Sequence, residues 1–271
     1  MRGSSRAAAA AAQEAFDGVL GGAGDRSALG EQLFSVAALV DANPSLRRAL
    51  ADPSREASAK QLLAERLFGG KISPAATVIV SAVAAGRWSE EGDLSDMLES
   101  LAVQAFLSQA ESEGRIDAVE EELFRFERII AGDAGLRDTL SSRNPDAEGK
   151  AALVRRLLEG KAQPETIRLA EQAVTYPRGR RLDRVMEGFL KLAAQRRDEL
   201  TALVTVAAPL TEQQAARLRS ALENIYGKAV TLQTVLDPTV MGGIRVQVGD
   251  EVVDGTVLRR LEEARRHITG S

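Results

Sequence analysis

Apolar residues recur at helical spacing through the first 200 residues of the chain. One such face carries Val78, Ile79, Ala82 and Val83. Pro74 and Pro164 each stand where a helix can begin, because the missing N–H of proline costs no hydrogen bond at the first helical position. Gly70 and Gly160 are typical of residues that follow a helix. The pattern predicts a body of helices as far as about residue 200.

The same apolar and turn residues occur twice, 90 residues apart. The matched pairs include Leu33 and Leu123, Phe34 and Phe124, Lys60 and Lys150, Gly70 and Gly160, and Pro74 and Pro164. Amphipathic segments could share apolar positions by convergence, but the paired glycines and prolines favour a duplicated helical unit. Residues 94–113 match both the N-terminus and residues 182–199, so we expect that segment to close one unit and open the next. The prediction is a helical domain at 1–200, with units at about 1–93 and 94–200 sharing the helix near 94–113.

The pattern changes near residue 200, where alternating apolar and polar residues replace the helical spacing. The predicted elements are a strand at Ala202–Ala207, a helix opened by the capping box Thr211–Gln214, strands at Val230–Leu236, Ile244–Val248 and Val252–Val253, and a helix at Thr256–His267. We expect Leu218, Leu222 and Ile225 on one face of the first helix. The order β-α-β-β-β-α predicts a small α/β domain at residues 201–271. The expected fold class is mostly α: a helical bundle with a duplicated unit, followed by this module.

The run from Asp237 to Gly255 is rich in glycine and aspartate. The structural motif that we single out is Asp237, Gly242, Gly243, Gly249, Asp250, Asp254 and Gly255. The pair Gly242-Gly243 lies between strands and opens no helix, so it does not match a phosphate-binding loop. We interpret the glycines as turn residues, and Asp237 and Asp254 as acceptors for backbone N–H groups at a turn and at the start of the last helix. With one histidine and no cysteine, the chain lacks the ligands of a zinc site and the residues of a histidine-based triad. We therefore assign no catalytic, cofactor-binding or metal-ligating residue.

Charge and composition narrow the classes of partner. The net charge is −4 and aromatic residues make up 4% of the chain, which disfavours nucleic-acid binding. The basic stretches at Arg178–Arg181, Arg184 and Arg196–Arg197 are interpreted as a solvated loop and helix face. No window reaches the ~18 apolar residues needed to cross a bilayer. The run Ala7–Ala12 is interpreted as part of an amphipathic first helix. We expect a soluble, intracellular protein without direct membrane insertion.

Residues 182–268 resemble the C-terminal region of one family, the δ subunit of the F-type ATP synthase, called OSCP in mitochondria. The matching features follow one another as Arg196–Glu199, Ala207–Thr211, Tyr226–Lys228, Asp237–Pro238, Gly242–Ile244, Gly249–Asp250 and Val253–Gly255. The N-terminal part is similar mainly in pattern. The family is usually shorter, by close to one repeated unit. The chain therefore resembles the long actinobacterial form with a duplicated N-terminal helical region.

The resemblance implies a stator role without catalysis and without a cofactor. The helical domain would bind the N-terminal helices of the α subunits on the catalytic head, and the C-terminal module would hold the soluble end of the b subunit. The protein would then lie at the cytoplasmic face of the plasma membrane, resisting rotor torque during proton-driven ATP synthesis. The alternative from another class is a cytosolic helical adaptor with unrelated partners. A nucleic-acid binder ranks third and a hydrolase last.

Overall fold

The computed structural model describes residues 3–142, 146–198, 200–226, 229–237, 244–248 and 251–254. The helices of the first 200 residues are α1 (Gly3–Leu20), α2 (Arg26–Ala42), α3 (Pro44–Ala51), α4 (Ala57–Phe68), α5 (Pro74–Ala85), α6 (Glu91–Ser112), α7 (Ile116–Gly132), α8 (Ala134–Ser141), α9 (Ala147–Leu158), α10 (Pro164–Thr175) and α11 (Leu182–Asp198). The later elements are β1 (Leu200–Val206), α12 (Glu212–Tyr226), β2 (Val230–Leu236), β3 (Ile244–Val248) and β4 (Glu251–Asp254). The described chain is mostly helical with a small sheet, which confirms the predicted fold class.

The helix boundaries follow the offset of 90 residues seen in the sequence. Each of α7, α8, α9 and α10 begins and ends 90 residues after α2, α3, α4 and α5, respectively. The turns agree as well, because Gly70 after α4 and Gly160 after α9 have positive φ values of 72° and 71°. Only glycine adopts that conformation without a steric cost. We call α2–α5 the first repeat and α7–α10 the second repeat.

One tertiary hydrogen bond is also repeated at the same offset. The backbone N–H of Ser73, at the start of α5, donates to Oε1 of Gln32 on α2 at 2.9 Å. Ninety residues later the N–H of Gln163 donates to Oε2 of Glu122 on α7 at 2.8 Å. The first N–H groups of a helix have no partner within that helix. In both repeats a side chain of the first helix accepts this bond at the start of the fourth helix.

Helix α6 is the central element of the helical part. It runs unbroken from Glu91 to Ser112, and thirteen of its 22 residues are buried. A helix that is buried on most sides belongs in a core. It packs against α2, α3 and α5 of the first repeat and against α7 and α10 of the second. The segment predicted near 94–113 to join the two units is thus one continuous helix.

The strands form one mixed four-stranded sheet in the order β2-β1-β3-β4. Strand β1 pairs in parallel with β2 and antiparallel with β3, and β3 pairs antiparallel with β4. The buried residues of this module are Ala202, Val204, Val206, Leu222, Val230, Val246 and Val248. The alternating residues of β1 and β3 supply most of them, as expected for strands with one covered face. The predicted order β-α-β-β-β is confirmed, and the predicted last helix at 256–267 lies outside the described residues.

Helix α12 begins with the predicted capping box. The backbone N–H of Thr211 donates to Oε1 of Gln214 at 2.9 Å, and the N–H of Gln214 donates to Oγ1 of Thr211 at 3.3 Å. Leu222 is buried and Leu218 packs beside it. Ile225, which the spacing places on the same face, is 71% exposed. It is not part of the buried cluster, whereas its neighbour Tyr226 packs against that cluster.

Contacts divide the chain into two compact units. One contains residues 25–197 with the first residues of α1, and the other contains residues 10–24 with the residues from Asp198 onward. The assignment of 1–200 and 201–271 as separate domains stays a prediction.

Candidate functional site

The predicted motif near the C-terminus is described only in part. The backbone N–H of Asp237 donates to the carbonyl of Val206 at 2.9 Å, so this residue continues the pairing of β2 with β1. Asp254 is the last residue of β4 and lies opposite Arg245 in the register of β3. Gly242, Gly243, Gly249, Asp250 and Gly255 lie outside the described residues. The shape-setting role of the motif therefore stays a prediction.

The described residues carry no arrangement typical of a metal centre. Among them, no group of three or more His, Asp and Glu side chains is placed to hold an ion. None of the described helices is long and apolar enough to span a bilayer. The described residues also form surfaces and contacts between helices that can be assessed for function.

Arg178 joins the second repeat to the first. It follows α10 with a positive φ of 55°, and its side chain is only 10% exposed. The guanidinium donates to Asp41 at the end of α2 and, at 2.6 Å and 3.3 Å, to Asp96 and Glu99 of α6. Burial alone would lower the pKa of Arg178, but the surrounding carboxylates, Asp96 foremost, hold the pKa above its ordinary value. The side chain is a fixed cation between three elements.

A second contact between the repeats involves Arg168 of α10. Its Nη2 donates to Oε2 of Glu31 on α2 at 2.8 Å. The guanidinium also lies over the ring of Phe34, 5.1 Å from the centroid, and 5.9 Å from that of Phe106. The two rings stack with their centroids 5.7 Å apart. Cation–π and ion-pair contacts act together here, so α10 is held against α2 and α6.

These contacts correct the interpretation of the basic stretches as solvated. Arg178 is buried among carboxylates, and Arg196 is buried as well, donating to Oε2 of Glu111 at 2.6 Å. Arg181 and Arg184 are exposed, as predicted. The sequence alone could not reveal the difference, because the carboxylates that receive Arg178 lie 79 to 137 residues away.

Exposed apolar side chains mark the surfaces that remain open. In the helical unit they are Leu39, Leu62, Val78, Phe124 and Ile129. Leu39 and Ile129 occupy the same position in the two repeats, which places one such residue near the end of α2 and one near the end of α7. In the smaller unit they are Ile225, Leu236 and Val252. Leu236 and Val252 belong to β2 and β4, the outer strands of the sheet, where a partner can add contacts.

Similarity to known proteins identifies the family. The sequence model described as "ATP synthase delta (OSCP) subunit" matches residues 103–268. The ATP synthase subunit delta of Kineococcus radiotolerans is 46% identical over 99% of this chain and 98% of its own length. The chain belongs to the ATP synthase delta (OSCP) subunit family. The ATP synthase subunit delta of Streptomyces griseus is also 46% identical, over 100% of both chains. A chain of the Toxoplasma gondii mitochondrial ATP synthase hexamer aligns at 20% identity, covering 61% of this chain and 94% of that one, with a TM-score of 0.27.

The extent of the family match agrees with the duplication. It begins at residue 103, inside α6, and therefore covers the second repeat and the C-terminal module. The first repeat precedes the matched part, whereas the actinobacterial relatives match along the whole chain. As a member of this family the chain is a peripheral-stalk subunit of F-type ATP synthase, and an adaptor with unrelated partners is set aside.

Proposed function

We propose that this delta subunit links the αβ catalytic head to the b subunit at the cytoplasmic face of the plasma membrane and performs no chemistry itself. The full-length relationship to other delta subunits carries this proposal. The helical unit binds the N-terminal helices of α subunits, and residues 201–271 bind the soluble end of b. The subunit then keeps the head from turning with the rotor while nucleotide chemistry takes place elsewhere.

The exposed apolar residues support docking at two places. An amphipathic helix binds by laying its apolar face into a groove between helices. Phe124 on α7 is 52% exposed and can contact the apolar face of such a helix. The module exposes Ile225 on α12 and Leu236 on β2. Two linked contacts raise each other's effective concentration, so neither one alone needs to be very tight.

The ion pairs between the repeats support a mechanical role. A stator subunit has to transmit force without coming apart. Arg168 and Arg178 tie α10 and the following loop to α2 and α6, so load applied to one repeat is carried by the other. Breaking a buried pair such as that of Arg178 with Asp41 costs about 3–5 kcal/mol because an uncompensated charge stays behind, whereas the more exposed pair of Arg168 with Glu31 contributes less. The two repeats therefore resist separation under torque.

Peptide titration tests the proposal. A peptide from the N-terminus of the α subunit should bind the full-length chain in isothermal calorimetry, and so should the soluble C-terminal segment of b. The two ligands should bind without competition, because they dock on different units. Absence of binding by either ligand, or mutual displacement, would contradict the proposal.

A further inference from the structure

We propose that the groove between α7 and α11 binds a helix of a partner polypeptide through an arginine, which lies over Phe124 and pairs with Glu121. The groove has a volume of about 600 Å³ and lies within the helical unit. Its apolar lining residues are Phe124 on α7 and Leu190 and Ala194 on α11. The proposal goes beyond the linkage of head and stalk, because it concerns the side chain that is recognised and does not depend on which subunit supplies the helix.

The first repeat shows how such a face binds a helix. There Glu31 and Phe34 of α2 are contacted by α10 of the second repeat. Arg168 of α10 donates from Nε and Nη2 to the two carboxylate oxygens of Glu31, at 2.5 Å and 2.8 Å. The same guanidinium lies 5.1 Å from the centroid of the Phe34 ring, and Phe34 is 3% exposed. One arginine of a neighbouring helix is thus held by a carboxylate and a ring that stand three residues apart.

The second repeat has the same two residues in accessible positions. At the offset of 90 residues, Glu31 corresponds to Glu121 and Phe34 corresponds to Phe124. Helix α7 begins and ends 90 residues after α2, so both pairs occupy the same positions in their helices. Phe124 is 52% exposed, and the side chain of Glu121 is 62% exposed. The residues that hold Arg168 in the first repeat are therefore open to a partner in the second.

The groove exists because α11 differs from α6 beside this ring. The two helices match at an offset of 88 residues, at which buried positions coincide: Leu94 and Leu182, Met97 and Val185, Leu98 and Met186, and Ala105 and Ala193. In the first repeat Phe106 of α6 stacks on Phe34, with the centroids 5.7 Å apart. The counterpart of Phe106 on α11 is Ala194. An alanine does not fill the position of the second ring, and both Ala194 and Phe124 line the groove.

This face stands at the end of the array of two repeats. The second repeat contacts the first through α10, and among the described residues no third repeat follows α11 to do the same for α7. Terminal repeats of stacked proteins usually carry a polar outer face. Helix α7 instead exposes Phe124 and, five residues on, Ile129. Apolar side chains at a position where a polar face is expected favour a docking surface.

The charges of the groove favour an arginine on its α7 side. The charged lining residues are three carboxylates, all on α7, and two cations, both on α11: Asp117, Glu120, Glu121, Lys191 and Arg197. Glu120 pairs with Arg197 across the groove at 2.9 Å. Glu121 pairs with Arg125 of its own helix, but the side chains are 62% and 64% exposed, so this pair contributes little. An arginine of a partner can take the place of Arg125 and gains the ring of Phe124 as a second contact.

The test uses the full-length protein and a fluorescently labelled peptide with the sequence of residues 164–176, which contains α10. A covalent bridge between positions 170 and 174 keeps the peptide helical, because with 3.6 residues per turn these positions lie on the side opposite Arg168. The peptide should bind the protein in fluorescence anisotropy. The Arg168→Gln peptide should bind about 3- to 30-fold more weakly, which is the combined value of an exposed ion pair and a cation–π contact.

Substitutions in the protein locate the binding. Phe124→Ala and Glu121→Gln should each weaken binding of the peptide. The control Ile129→Ala changes a residue that is 53% exposed on the same helix but does not line the groove, so it should bind as the wild type does. Arg125→Ala frees Glu121 and should strengthen binding.

Four results would overturn the proposal. One is no binding of the peptide to the wild-type protein. Another is equal affinity of the Arg168→Gln peptide, which would mean that any amphipathic helix suffices. The third is equal binding by Phe124→Ala and Ile129→Ala, which would place the peptide elsewhere, and the fourth is weaker binding by Arg125→Ala. Because the peptide has a sequence from this chain, the proposed links to α and b can fail or hold independently of all four.

Discussion

Replacing Arg178 with alanine tests whether the two repeats are held together by buried charge. The guanidinium forms ion pairs with three carboxylates that differ in solvent exposure. Asp96 is half exposed, so the loss of that pair matters little. Glu99 is only 4% exposed, but in the variant it still has Arg180 as a partner, which donates to both of its carboxylate oxygens at 2.6 Å. Asp41 also keeps a longer contact with Arg47, at 3.8 Å, yet loses its closest cation. We therefore expect Arg178→Ala to destabilise the protein by about 3 kcal/mol, the lower end for a broken buried pair.

Trp88 makes the measurement specific to the helical unit. It is the only tryptophan, so its fluorescence during urea unfolding follows that unit and not the smaller one. The matched control is Arg184→Ala, which removes an arginine that is 70% exposed and should leave the midpoint unchanged. Arg178→Gly removes the same charge and also relieves the positive φ, so it should be less harmful than alanine by about 0.5–1 kcal/mol. Equal midpoints for Arg178→Ala and the Arg184 control would refute the reasoning.

Three further changes have outcomes set by packing, capping and burial. Gly30→Ala should lower stability by about 1–3 kcal/mol, because the added Cβ would lie 2.6 Å from the Phe106 ring. Gly188→Ala should raise stability, because nothing lies within 4 Å of its added Cβ and alanine favours the helix. Thermal unfolding followed by circular dichroism distinguishes the two variants. Thr211→Ala should cost about 0.5–2 kcal/mol through the lost cap, read as faster hydrogen exchange in α12 than in wild type. Burial lowers the pKa of Lys60, because the charged ammonium is unfavourable in the folded state. As the pH rises from the folded pKa to the higher pKa of the unfolded chain, the folded protein loses this charge first, and stability increases. Stability relative to Lys60→Met should therefore increase from neutral to alkaline pH, and a constant difference would contradict this.

Local signals in the sequence predicted much of the fold because they act over short distances. Pro74 and Pro164 mark helix starts, the capping box at Thr211 opens α12, and the alternation at 230–236 gives the bounds of β2. The 90-residue offset predicted which helices correspond, because residues of the same type stand at the same positions of the helices and turns in both repeats.

The contacts between the repeats could not be predicted in this way. Arg178 stands in a basic run that a solvated loop would also show, and its partner Asp41 is 137 residues away.

The most direct test of the central claim is whether this chain alone joins the head to the stalk. Affinity-tagged full-length protein, mixed with the αβ head and the soluble segment of b, should retain both on the resin in a single complex. A chain that ends at residue 200 should retain the head and lose b. Retention of b by the shortened chain, or failure of the full-length chain to hold the two together, would contradict the account.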